Sequence, residues 1–152
     1  MSGPRFEAPV SGLSIGLELD GGAPARLHFR NAGSEPIRIY FLAPEVFRSF
    51  QSSLRVRDAS GKVVGFTDAS PPHGYLPQES DFPLIAPGAT TTFTQKVPAM
   101  SAGGTVEWTY SNSITEWKGG AQTLDGPTRP LFGGGPIPHI WTGKVVTSVS
   151  AP

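Results

Sequence analysis

Residues 13–19 read LSIGLEL, with Leu13, Ile15, Leu17 and Leu19 alternating with Ser14, Gly16 and Glu18. A period of two belongs to a pleated strand, whose successive side chains leave the backbone on opposite faces; a helix would repeat near 3.6. Asp20-Gly21-Gly22 then stops the run with residues suited to a turn. The reading is a half-buried strand ended by a turn.

The same pattern recurs along the chain. Leu27 and Phe29 oppose Arg26, His28 and Arg30, and Ile37, Ile39 and Phe41 oppose Arg38 and Tyr40. The turn NAGSEP at 31–36 lies between them, so the two runs read as an antiparallel pair. Residues 43–53 lose the alternation; Val46, Phe47 and Phe50 follow Pro44 at helical spacing, and a short helix and an irregular crossing both fit. Leu54 and Val56 resume the alternation, DASG at 58–61 forms a hairpin turn, and Val63, Val64 and Phe66 form its return.

Further on, Pro87-Gly88 opens a strand over 90–97 with Phe93 as its core candidate. Val106, Trp108 and Tyr110 share a face over 105–111, and Trp141, Val145 and Val149 share one over 139–150. The long segments 67–82 and 112–138 carry little periodicity. This predicts an all-β chain, an antiparallel sandwich of about 7–9 strands with at most one short helix. Its predicted core is Leu17, Leu27, Phe29, Ile39, Val56, Phe93, Val106, Trp108 and Val145. The 152 residues form one domain, with a core over about 12–150 and an extended stretch at 1–11.

Composition agrees. Gly and Pro number 19 and 16, too many helix breakers for a helical bundle. There is no cysteine, which removes disulfides, thiolate metal sites and cysteine nucleophiles. Twelve basic residues balance twelve acidic ones, so no nucleic acid and no anionic membrane is expected as a partner. The opening MSGPRFEAPV holds no apolar signal core. A cytoplasmic protein is expected as the sequence stands, with a mature secreted form left open.

The order of these motifs resembles bacterial immunoglobulin-like β-sandwich domains. LHFRNAGSEPIRIYF and LRVRDASGKVV resemble two successive hairpins of such domains, LIAPGATTTF the proline–glycine turn that opens a later strand, and EWTYSN with IWTGKVVTSVS their last two strands, across roughly residues 13–149. The layout is similar to the inhibitory N-terminal domain of deuterolysin-type zinc peptidases and to BsuPI-type intracellular proteinase inhibitors. The resemblance implies an immunoglobulin-like fold and a peptidase-inhibitor-like module. It assigns no inhibitory residue, and the chain has no HExxH motif.

Residue chemistry adds less. His28, His73 and His139 show no HxH or HExxH spacing, so neither metal nor cofactor is expected; His28 reads as an exposed residue on a polar strand face. No GxSxG elbow accompanies the serines, and the chain reads as non-enzymatic, with an enzyme using an unrecognised loop site as the third possibility. Arg26, Arg30, Arg38, Arg55 and Arg57 fall in the outward phase of successive strands. They would make one basic face if those strands were neighbours.

The long loops carry Tyr75, Phe82, Trp117 and Phe132, with His73 beside the first. Aromatic residues on sandwich loops anchor interfaces, and they also fold back to cap cores. These five residues are the expected binding set. The leading reading is a non-enzymatic domain that binds another protein, such as a peptidase, through its loops. The alternative is a carbohydrate- or surface-binding accessory domain.

Overall fold

The computed structural model describes residues 4–20, 24–41, 51–67, 77–98, 100, 102–119, 122–123, 126–127 and 130–150. Eleven strands lie among them: β1 (Leu13–Glu18), β2 (Ala25–Asn31), β3 (Ile37–Arg38), β4 (Ser52–Arg57), β5 (Val63–Thr67), β6 (Leu84–Ile85), β7 (Thr90–Gln95), β8 (Thr105–Asn112), β9 (Gln122–Thr123), β10 (Gly126–Pro127) and β11 (Gly143–Ser150). A three-stranded sheet, β1-β2-β7, faces a four-stranded sheet, β11-β8-β4-β5, and β3-β6 and β10-β9 form two short ribbons. Every pairing between these strands is antiparallel. The chain is an all-β sandwich whose only described helical segments are short 3-10 turns at Glu79–Asp81 and Phe132–Gly134. The segment considered for a short helix lies largely outside the described residues.

The alternating residues do face one another. Leu17, Leu27, Phe29, Ile39, Val56, Val106, Trp108 and Val145 are buried in one cluster, with Phe93 half-buried against it. Phe29 is its hub. Its ring makes edge contacts with Phe41 at 5.3 Å, Phe93 at 5.9 Å, Trp108 at 5.1 Å and Tyr110 at 5.0 Å, in the tilted geometry that the ring quadrupoles favour. The polar tips in this core are satisfied: the Trp108 indole donates to Ser52 Oγ at 2.9 Å, and the Tyr110 hydroxyl accepts the Tyr40 amide at 2.8 Å.

Turn chemistry holds the strands in register. Asn31, fully buried, donates from Nδ2 to the carbonyls of Glu35 and Ile85 and accepts the Gly33 amide, so one side chain fastens a turn to β6. Asp58 accepts the amides of Ser60 and Lys62 and closes the β4–β5 hairpin around Gly61, which has φ +89.

Three expectations need correction. β2 and β3 do not pair: β2 has β1 on one side and β7 on the other, so both of its edges are taken, and β3 joins β6 instead. His28 is not exposed. Its accessibility is 8%, because the segment before β1 runs alongside, with Phe6 bridged to Gly16 and the Phe6 ring 6.2 Å from the imidazole. The polar face of β1 is covered in the same way, leaving Ser14 at 3%. Finally, the arginines do not form one face: Arg26 and Arg30 lie on the three-stranded sheet, Arg38 on the β3-β6 ribbon, and Arg55 and Arg57 on the four-stranded sheet.

Candidate functional site

β4 and β11 begin, and β8 and β5 end, at the same end of the sandwich. There a second apolar cluster forms from Tyr40, Phe82, Leu131 and Ile137, with Ile114, Trp117, Phe132 and Ile140 half-buried around it. The two long loop segments therefore meet: residues from 77–82, 112–119 and 130–140 pack together. Asn112 starts the arrangement by donating to the carbonyls of Ile114 and Trp141 and accepting the Ile114 amide. The Leu131 amide then donates to Trp117 O, and the Ile137 amide to Thr115 O.

The rings are stacked and braced. Tyr40 and Phe82 lie parallel at 4.4 Å, and Phe82 meets Phe132 edge-on at 6.0 Å. The Arg38 guanidinium sits 4.7 Å over the Phe132 ring in a cation–π contact, while its Nη1 donates to Phe82 O at 2.8 Å. Asp81 is fully buried and accepts the Gln78 amide. Burial, reinforced by the Asp81 charge, pushes the Tyr40 phenol up to about 12.

Phe132 pays for its position. Its φ is +49, followed by Gly133 at +75 and Gly134 at +82, a left-handed turn closed by the Gly134 amide on Leu131 O. That conformation places Cβ against backbone and costs about 1–2 kcal/mol for a non-glycine. His139, which is exposed, is at φ +61 in the same loop. Strain persists where surrounding structure over-determines it, and it gathers at functional sites. Gly133 has open space around its missing side chain, so Gly133→Ala should cost about 1–2 kcal/mol through the backbone alone. Gly135, equally open but at φ −91, should accept alanine with little change. Thermal melts of the pair check this.

The expected binding residues divide. Trp117 and Phe132 are brought together and keep some exposed surface. Phe82 has none, at 0%; its role as a partner-facing anchor is corrected to a buried brace, because stacking on Tyr40 and the Arg38 contact at its carbonyl draw it inward. Tyr75 and His73 lie outside the described residues. Strand periodicity does not reveal the contacts of Arg38 and Tyr40 with residues 82 and 132, since they depend on distant segments meeting. A polar hollow of about 230 Å³ opens at the same end, lined by Gln51, Ser111, Asn112, Ser113 and Gly143, none of which ionises near neutral pH.

One chemical constellation lies elsewhere, on the outer face of the three-stranded sheet. His28 Nδ1 is 2.8 Å from Thr92 Oγ1, and its Nε2 is 3.1 Å from Glu18 Oε1. The spacing across β1, β2 and β7 is a product of register, which pairs Gly16 and Thr92 with His28. The neutral ring can donate from Nε2 to Glu18 and accept the Thr92 hydroxyl; the protonated ring donates to both. Hydrogen bonds from Arg26 and then His28 hold the Glu18 carboxyl below its ordinary range. Among the described residues no group of three or more His, Asp or Glu could hold a metal ion, and no helix is long and apolar enough to cross a membrane. Compared with protein-family models, with curated proteins and with solved structures, the chain matches none.

Proposed function

We propose that this chain is a non-enzymatic protein-binding domain that meets its partner with the loop end of the sandwich. The observation that carries the reading is that Trp117 and Phe132, both from the 112–138 segment, lie half-buried on one apolar cluster, with Arg38 over the Phe132 ring. Aromatic anchors lose little entropy on binding, and a braced loop has less freedom left to lose. The finer reading, a peptidase-inhibitor-like module, draws its support from the resemblance of the sequence motifs at 27–41, 54–64 and 84–93.

The test pairs capture with substitution. A partner is captured from lysate and identified, and the pure domain is assayed against serine, cysteine and metallopeptidases. Trp117→Ala should leave the strand-rich circular dichroism intact and weaken binding by at least about fivefold, the effect of an interface residue worth more than 1 kcal/mol. Full binding by Trp117→Ala, with loss in Arg55→Ala or Arg57→Ala, would move the site to the sheet face. Binding without any inhibition would remove the peptidase reading and leave the loop site standing.

A further inference from the structure

Two buried side-chain nitrogens lack a hydrogen-bond partner among the described residues, Gln95 Nε2 and Arg38 Nε. Gln95 is enclosed between the sheets, where Ser52 donates to its Oε1. Arg38 stands at the loop end, against Phe82 and Phe132. It is half-buried, and of its three guanidinium nitrogens Nη1 alone is engaged, donating to Phe82 O at 2.8 Å. Nε is enclosed without a partner; Nη2 has none either, and is open to solvent. A guanidinium stays charged in a protein, and a charge taken from water is costly unless an opposite charge and hydrogen bonds offset it. Here the offset is partial. The Phe132 ring covers one face of the cation at 4.7 Å, and a carbonyl holds one corner. Among the described residues no carboxylate lies within 4.0 Å of it. Asp81, one residue before Phe82, turns its Oδ2 to the Gln78 amide.

We infer that the Nε–Nη2 edge of Arg38 selects the partner of the loop end: a polypeptide segment that sets an Asp or Glu side chain on this edge, with a large apolar residue beside it. This rests on the loop end being the binding face. The guanidinium is a planar fork whose N–H groups match the two oxygens of a carboxylate. Its Nη1 corner is taken, so the carboxylate enters at the open Nη2 and brings its second oxygen toward Nε. The charge on the occupant follows from what surrounds Arg38. The segments that build the cluster, 77–82, 112–119 and 130–140, contribute one further lysine or arginine, Lys118, and it is paired with Glu116 at 3.4 Å. A lone guanidinium matches a singly charged carboxylate, whereas phosphate recognition gathers arginines in clusters. The apolar neighbour follows from geometry. Phe132 lies directly against the guanidinium, and Trp117, Ile114 and Ile140 are half-buried on the same cluster. An extended segment advances about 3.3 Å per residue, so a carboxylate on Arg38 brings the residue one or two positions away over these side chains. That residue excludes water from the ion pair, and the lower dielectric strengthens it.

The probe is a display library of random peptides selected on the full chain. The peptides recovered should carry Asp or Glu beside an aromatic or aliphatic residue. In fluorescence anisotropy, changing that acid to its amide in the peptide, which leaves the protein untouched, should weaken binding by at least about tenfold. Against Arg38→Gln the same peptide change should have less than about a twofold effect, because the charge it addressed is gone. Arg38→Lys keeps the charge and loses the fork, and should shrink the effect to roughly a few-fold; it carries the comparison if Arg38→Gln abolishes binding altogether. Peptides that lose affinity in Trp117→Ala and yet show no dependence on an acid overturn this inference and leave the loop-end reading standing. Peptides indifferent to Trp117→Ala overturn the loop-end reading and this one with it. An acid effect undiminished in both Arg38 variants places the cation elsewhere and overturns the assignment, as does a library that yields no binder.

Discussion

Phe29→Ala should lower stability by about 3–5 kcal/mol, the range for removing a fully buried phenylalanine. Phe29 lies at 0% exposure between the two sheets, on β2, in the middle of β1-β2-β7. Its ring meets Phe41 and Phe93 on one side and Trp108 and Tyr110 of β8 on the other. The flanking strands are tied by ladders and cannot collapse into the space, so the cavity term adds to the lost transfer energy. For a domain of this size each kcal/mol moves the thermal midpoint by roughly 2–4 °C, so a drop on the order of 10 °C is expected. Chemical denaturation with an unchanged slope should give the same loss. A change within about 0.5 kcal/mol would put Phe29 on the surface and reverse the register of β2.

The second large effect lies at alkaline pH. Burial, then the charge of Asp81, raises the Tyr40 phenol to about 12, and burial raises Tyr110 further, against the opposing hydrogen bond from the Tyr40 amide. An unfolded tyrosine ionises near 10. Below that pH both states are protonated and the full stability is present. Above it the unfolded chain releases protons that the folded chain keeps, so stability falls as pH rises. Each phenol held protonated removes about 1.4 kcal/mol per pH unit, or about 3 kcal/mol per tyrosine between pH 10 and 12 on that slope. The domain should therefore unfold cooperatively in this window, with tyrosinate absorbance and circular dichroism changing together. Tyr40→Phe should shallow the pH slope by one proton. Tyrosinate absorbance completed near pH 10 in a chain that keeps its strand signal would show both phenols to be accessible.

These two residues show how the readings divide. Phe29 was legible because the alternation of Leu27 and Phe29 against Arg26, His28 and Arg30 assigns inward and outward faces with no further information. Tyr110 was legible in the same way, as one of three aromatic or apolar residues spaced by two on β8. Tyr40 fell in the outward phase of its strand beside Arg38. It is buried, at 7% exposure, because segments between Phe82 and Ile140, far later in the chain, close over it. Periodicity describes one strand and cannot say what a distant loop will cover.

Local pattern alone determined the all-β class, the composition of the main core and the turns at Asn31, Asp58 and Gly88, since each depends on pleat period or on the backbone demands of adjacent residues. Tertiary structure decided strand partnership, and with it the rest. It sent β3 to β6, split the arginines among three sheets, and buried His28 under Phe6 between Glu18 and Thr92. It turned Phe82 from an exposed anchor into the brace beneath Phe132. Each of these is a contact between segments far apart in the chain, where the free energy comes from burying two surfaces together and neither surface by itself names the other.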